Sequence, residues 1–241
     1  MQINNNIPDF ERSEPAIIAY NINKNFGRSI ALNNINLQIK WGEIFILIGP
    51  NGSGKSTLVK TISMISTPDS GSMRIAGIDT KNHRSYLRQI IGTTTHNSFL
   101  YDQLSGFENL VFTAKLFNLK NYEIDIKKLA KRLEIYEKIF DPVYTLSHGT
   151  KKKISLIKSI LHQPKILILD EPDSGLDINS QNNLNNIILE QKELNKTILF
   201  TTHNIETAIE IGDRIGIIKN GKIIDIREAK DLNKTLIESF Y

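Results

Sequence analysis

The chain contains no cysteine. Disulfide bonds and thiolate metal sites are thereby excluded, and the absence fits a reducing compartment. Long hydrophobic runs are missing too. The longest apolar stretches are about strand length, so no segment is expected to span a bilayer. The opening residues Met1-Gln2-Ile3-Asn4-Asn5-Asn6 have neither the basic nor the apolar region of a signal peptide, and none is expected. Charge of one sign is nowhere concentrated beyond three consecutive lysines at 151–153. A mild net charge of +4 forms no basic tract, and nucleic acid is not an expected partner. No internal repeat or low-complexity linker is present. What remains is 241 residues, 40% hydrophobic, enough to bury the core of one sizeable α/β domain.

Nine consecutive residues stand out. Gly49-Pro50-Asn51-Gly52-Ser53-Gly54-Lys55-Ser56-Thr57 match the phosphate-loop pattern G-x-x-x-x-G-K-[ST]. An apolar, β-branched run precedes them at 43–48, and a helical pattern continues at 57–62. Strand, glycine loop and helix is the context the motif requires. The glycines let successive N–H groups turn inward as an anion nest, and the helix N-terminus behind them adds partial positive charge. Lys55 can reach the outer phosphates of a nucleotide, and the Ser56 hydroxyl can ligate Mg²⁺.

The rest of the chain alternates strands and helices. Strands are predicted at 17–22, 35–39, 73–75, 166–169 and 197–200. The continuous apolar runs at 166–169 and 197–200 mark parallel strands buried on both faces. Asn220-Gly221 between 215–218 and 222–224 signals a hairpin. Helical spacing is predicted across 106–140, at 149–161 and at 182–194, with a short helix possible within 80–89. The first of these blocks separates two strand-rich regions and reads as an inserted helical subdomain.

Ile166-Leu167-Ile168-Leu169-Asp170-Glu171 carries the second half of the chemistry. Its strand delivers Asp170 at a C-terminal end, where α/β sheets bind ligands and where a carboxylate is needed to hold Mg²⁺. Glu171 follows and is placed to orient or deprotonate an attacking water.

With these motifs in order, the chain resembles the nucleotide-binding subunit of an ABC transporter, from about Ile17 to Ile226. The resemblance implies an α/β P-loop NTPase of ABC type. Its mostly parallel core sheet is joined by an antiparallel β subdomain and an inserted helical subdomain. It implies one domain over 16–230, with the helical insertion at about 92–162 and a flexible lead-in at 1–15. Residues 49–57 then correspond to Walker A, 166–171 to Walker B, and Ser174-Gly175-Leu176-Asp177 to the D-loop. His203 corresponds to the switch histidine, and Phe26 to the aromatic that stacks on adenine. ATP and Mg²⁺ are the implied ligands. A second copy or a homologous ATPase subunit is an implied partner. So is a separate membrane permease, with the chain peripheral on the cytoplasmic side. The stretch 96–110 is similar to haem-exporter and general export ATPases, and 96–109 is the implied docking surface.

Two places depart from the family pattern. Leu146-Ser147-His148-Gly149-Thr150 stands where the signature L-S-G-G-Q is usual; Ser147 and Gly149 remain. Lys151-Lys152-Lys153 follow in the first helical turn, where cations oppose the helix dipole. They are either solvated or faced by an anion. His96, followed by Asn97, stands where the Q-loop glutamine is expected; as a ligand near Mg²⁺ or water it would make activity depend on pH near neutrality. A soluble ABC-type ATPase without a permease, or a weakly hydrolysing regulatory subunit, remain alternatives.

Overall fold

The computed structural model describes residues 14–95 and 97–240. The described chain opens with a hairpin of β1 (Ile17–Phe26) and β2 (Ser29–Ile39), then enters β3 (Ile44–Ile48), the glycine loop and α1 (Lys55–Ile62). Strands β4 (Ser70–Ile75) and β5 (Ile78–Asp79) follow, and α2 (Arg84–Ile90) leads into β6 (Ile91–Thr94). A helical block comes next, with α3 (Gly106–Leu116), α4 (Tyr122–Arg132), two short 3-10 turns and α5 (His148–Ile160). The remainder is β7 (Ile166–Asp170), α6 (Ile178–Glu193), β8 (Thr197–Thr202), α7 (Ile205–Ile211), the hairpin β9 (Arg214–Lys219) and β10 (Lys222–Glu228), and α8 (Lys234–Glu238).

Two sheets result. One is antiparallel, in the order β2-β1-β4-β5; the other runs β10-β9-β3-β8-β7-β6. The second is parallel except for its terminal hairpin. Every residue of β3, β7 and β8 is buried, as continuous apolar runs require of strands covered on both faces. Alternation divides β3 between two cores. Ile44, Ile46 and Ile48 pack with the helical block and α5 to α7. Phe45 and Leu47 pack with α1 and the antiparallel sheet. Register then positions the site. Ile48 pairs with Thr202, and Asp170 pairs with Thr201, so the residues that follow three parallel strands emerge along one sheet edge.

Some elements differ from the sequence expectation. The first two strands extend well beyond 17–22 and 35–39, because irregular pairing around Ile22 and Lys24, with Asn21 and Asn34 at positive φ, breaks the alternation that would reveal them. The helical insertion was expected from about residue 92, but Ile91–Thr94 is an edge strand paired with β7, so the block begins after it. Helix α6 starts at Ile178 rather than 182, because the Asp177 carboxylate caps it by accepting from Ser180 N–H at 2.8 Å. Most of the lead-in expected at 1–15 lies outside the described residues.

Just after α5, His162 stacks on Phe117 at 4.0 Å between ring centroids. Its Nε2 lies 3.2 Å from the Ile91 carbonyl oxygen, while Nδ1 is buried without a partner. Burial holds its pKa down at about 4, and the nearby Lys196 charge adds to the effect. The folded state therefore keeps this ring neutral where the unfolded chain protonates it. Stability is fully present above the unfolded value near 6.5 and is lost as pH falls toward 4. Between pH 7.5 and 5 the loss from this residue should be about 2 kcal/mol. Urea unfolding of wild type and His162→Phe at the two pH values checks it. Equal pH dependence in both would remove His162 as the cause.

Candidate functional site

The glycine loop joins β3 to α1 in a conformation other residues would not adopt. Gly54 has φ +110, and a Cβ there would meet the Ala31 carbonyl oxygen of β2 at 2.6 Å. A Cβ on Gly49 would lie 2.2 Å from the Ile218 carbonyl oxygen of β9. The loop is thus wedged between neighbouring strands. The β9–β10 turn fastens it, because Gly221 N–H donates to the Ser53 carbonyl at 2.8 Å. Asn220 and Gly221 both have positive φ, the geometry of the hairpin read from their pair. Asn51 and Gly52 are exposed at the loop crest, whereas Ser53 is buried and its hydroxyl has no partner. Thr57 follows in the first turn of α1, half-buried.

Lys55 is only 4% exposed. Its Nζ donates to the Gly49 carbonyl at 2.7 Å and the Pro50 carbonyl at 3.2 Å, and lies 3.6 Å from Glu171 Oε1. Burial pulls its pKa down, opposed by the Glu171 and Asp170 charges. The ammonium is therefore partly desolvated, so an incoming anion does not have to strip its water.

Asp170 ends β7 and is buried. Its Oδ1 accepts from Ser56 Oγ at 3.1 Å and from Thr201 Oγ1 at 2.9 Å; its Oδ2 is buried with no partner. Burial pushes this carboxyl above the usual range, partly offset by those two hydroxyls. A desolvated carboxylate oxygen beside a serine hydroxyl suits a hard divalent cation. Among the described residues no three His, Asp or Glu side chains cluster to hold a metal. The fit is therefore to an ion that takes most of its oxygens from elsewhere, such as phosphates and water.

Glu171 has φ +47, a left-handed backbone few non-glycine residues adopt. Its N–H donates to the Thr201 carbonyl at 3.1 Å and to Thr201 Oγ1 at 2.9 Å. The turn brings its carboxylate to His203, whose Nε2 is 2.5 Å from Glu171 Oε1. Lys55, Ser56, Asp170, Glu171 and His203 thus meet at one sheet edge. His96 lies outside the described residues.

Three of the singled-out residues lie apart from this cluster. Phe26 ends β1 and is 57% exposed, so it is no core residue; Lys24 Nζ sits 5.6 Å from its ring centre. Its hairpin partner β2 supplies the Ala31 carbonyl against Gly54, which sets the hairpin beside the glycine loop. Ser147 is exposed and caps α5, its Oγ accepting from Thr150 N–H at 3.2 Å and lying 2.9 Å from Thr150 Oγ1. A Cβ on Gly149 would fall 3.5 Å from Leu176, which puts this turn against residues 174–177.

The sequence did not disclose Thr201, Asp173 or the destination of Lys152. Thr201 bonds both Asp170 and Glu171. Asp173 is buried, with Oδ2 accepting from Thr202 Oγ1 at 2.5 Å. Lys152 is neither simply solvated nor left to an outside anion; its Nζ donates to the carbonyls of Glu171 at 2.9 Å and Ser174 at 2.7 Å. Only the run Asp170-Glu171-Pro172-Asp173 hinted at Asp173.

A family model described as ABC transporter matches residues 32–174. The linearmycin resistance ATP-binding protein LnrL of Bacillus subtilis is 35% identical over 89% of this chain and 70% of its own length. The spermidine/putrescine import ATP-binding protein PotA of Fusobacterium nucleatum is 32% identical over 91% of this chain and 59% of its own. The dimeric structure of MJ0796, a bacterial ABC transporter cassette, superposes with TM-score 0.82 at 25% identity, covering 89% of this chain and 99% of that one. A post-hydrolysis form of that cassette with ADP and Pi gives 0.79 at 25% identity, covering 89% and 99%. Sequence and fold agree with the glycine loop and the strand-end carboxylates, and the chain belongs to the ATP-binding subunits of the ABC transporter family.

Proposed function

We propose that this chain is the ATP-hydrolysing subunit of a transporter whose membrane channel is a separate polypeptide, and that it works as a pair. The observation that carries the reading is the division of its groups. Lys55, Ser56, Asp170, Glu171 and His203 converge at one edge, while Ser147 is exposed at the capped start of α5. One copy therefore surrounds a triphosphate on one side only. A second copy, turned head to tail, completes the site with its own Ser147 and Gly149 at a helix N-terminus.

In this reading the loop N–H groups at 49–57 and Lys55 bind the β- and γ-phosphates, and the exposed Phe26 stacks on the base. Ser56 and Asp170 hold Mg²⁺, which when bound neutralises charge on the transferring phosphoryl group. Glu171 orients and deprotonates the attacking water, and His203, against its Oε1, contacts the γ-phosphate. ATP favours the closed pair and its loss favours the open one, a population shift that moves the attached channel.

The docking surface is the stretch 96–109, with Phe112 of α3 beside its described part. Phe99 and Tyr101 are 60% and 57% exposed, and Tyr101 meets the half-exposed Phe112 edge to face at 5.4 Å. Buried Asn109 pins this loop through both Tyr101 N–H and C=O. No helix among the described residues is long and apolar enough to cross a membrane. In this reading the chain sits peripherally against its permease, on the cytoplasmic side.

Ser147→Arg tests the composite site. Binding of ATP to the isolated chain should stay unchanged, while ATP-dependent dimerisation on size exclusion is lost and turnover falls by about 100-fold. Full turnover in that variant would refute a site shared between copies. Co-purification of a channel subunit from detergent-solubilised membranes tests the transport role.

A further inference from the structure

Lys152 occupies the first turns of α5, where a cation opposes the helix dipole. Its ammonium turns back to donate to two main-chain carbonyls, those of Glu171 at 2.9 Å and Ser174 at 2.7 Å. The first belongs to the residue with the left-handed backbone, φ +47. Such a conformation persists where the surroundings over-determine it. Thr201 of β8 secures the N–H side of Glu171 through two acceptors. On the carbonyl side Lys152 adds its ammonium to the Ser174 N–H, which donates to the same oxygen at 3.3 Å. Without it the 171–174 turn loses its tie to α5, and the Glu171 carboxylate is free to drift from His203 at 2.5 Å and Lys55 at 3.6 Å.

We infer that Lys152 is a positioning residue that fixes the Glu171 backbone and the 171–174 turn to the helix bearing the signature turn. The inference rests on the reading above that Glu171 activates water. It also has a consequence for the pair. Helix α5 is capped by Ser147, the group offered to the other copy's nucleotide, and five residues after that cap it grips the segment carrying this copy's own water-activating carboxylate. A displacement of the signature turn by the partner's ATP is thus delivered to Glu171 in the same chain. The linkage is a charged side chain bridging two carbonyls, which a neutral residue of equal length cannot reproduce.

The experiment is steady-state ATPase kinetics with Mg-ATP on the full chain as wild type, Lys152→Met, Lys152→Arg and Glu171→Gln, with nucleotide affinity measured separately. Lys152→Met keeps length and apolar volume. It should lower kcat by between about 10-fold and about 100-fold, the effect of misplacing a reacting group. KM and nucleotide affinity should stay within about 2-fold, because the phosphate loop is untouched. Lys152→Arg retains the cationic donor and should recover much of kcat. The inference is overturned if Lys152→Met turns over like wild type, or if its affinity for nucleotide falls as much as kcat, or if Lys152→Arg is no better than methionine. Near-wild-type turnover in Glu171→Gln would instead overturn the assignment of Glu171. An inactive Glu171→Gln beside a fully active Lys152→Met would leave that assignment standing and remove Lys152 alone.

Discussion

Replacing Lys55 with alanine is expected to abolish tight binding of ATP. The lysine lies inside the glycine loop, 4% exposed, with its ammonium on the carbonyls of Gly49 and Pro50 and 3.6 Å from Glu171. Burial has already lowered its affinity for its proton, so the charge is poorly screened by water and acts strongly on a neighbouring phosphate. Alanine removes that charge and leaves Asp170 and Glu171, two carboxylates, facing the incoming anion. Truncating one partner of a buried, hydrogen-bonded charge pair across a binding interface costs about 2–5 kcal/mol. The dissociation constant for Mg-ATP should therefore rise by about 100-fold. Titration calorimetry with Mg-ATP measures it. An unchanged affinity would count against the entire site, because no other lysine or arginine contacts Asp170 or Glu171 side chains among the described residues.

Glu171→Gln is expected to separate binding from hydrolysis. The glutamine keeps the size of the side chain and one carbonyl oxygen for His203, and it leaves Lys55, Ser56 and Asp170 in place. It loses the capacity to take a proton from water. General-base catalysis contributes about 10²–10⁴-fold, so turnover should fall by that factor while ATP affinity is retained. Removing a carboxylate from beside Lys55 also reduces repulsion toward the triphosphate. Bound ATP that is not consumed should hold two copies together, and the variant should elute as a dimer in Mg-ATP where wild type does so only transiently. Near-wild-type turnover would take Glu171 out of the role of base. This result differs in kind from that of Lys55→Ala, which should show neither binding nor a nucleotide-dependent dimer.

The legible parts of the fold are those with local physical causes. Strands at 44–48, 166–170 and 197–202 are apolar on both faces because both faces are buried, and a run of that kind is visible in one dimension. Asn220-Gly221 announces its turn because both residues tolerate positive φ. The periodicity of α5 places it at 149–161, within a residue of its observed span. The long first hairpin was only half visible, since its irregular register breaks the two-residue period on which strand recognition depends. Residues 91–94, a short edge strand, were absorbed into the neighbouring helical pattern for lack of length. Helix α7, seven residues between a buried strand and a hairpin, is too short to show a period.

The same division holds for the site. Residue order alone determined which side chains are candidates for the chemistry, because a nest of N–H groups, a lysine, a hydroxyl and strand-end carboxylates are requirements of type and spacing within short segments. The tertiary structure decided how those segments are held to one another. Thr201 reaches back across 31 residues to Asp170, Lys152 reaches forward across 19 to Glu171, and Gly221 reaches back from its hairpin to Ser53. Such contacts depend on strand order and register, which bring residues distant in sequence within about 3 Å, and periodicity within a segment carries no record of them. The left-handed backbone at Glu171 belongs to this second class, because glutamate has no local preference for it and its N–H and carbonyl are bonded by Thr201, Lys152 and Ser174.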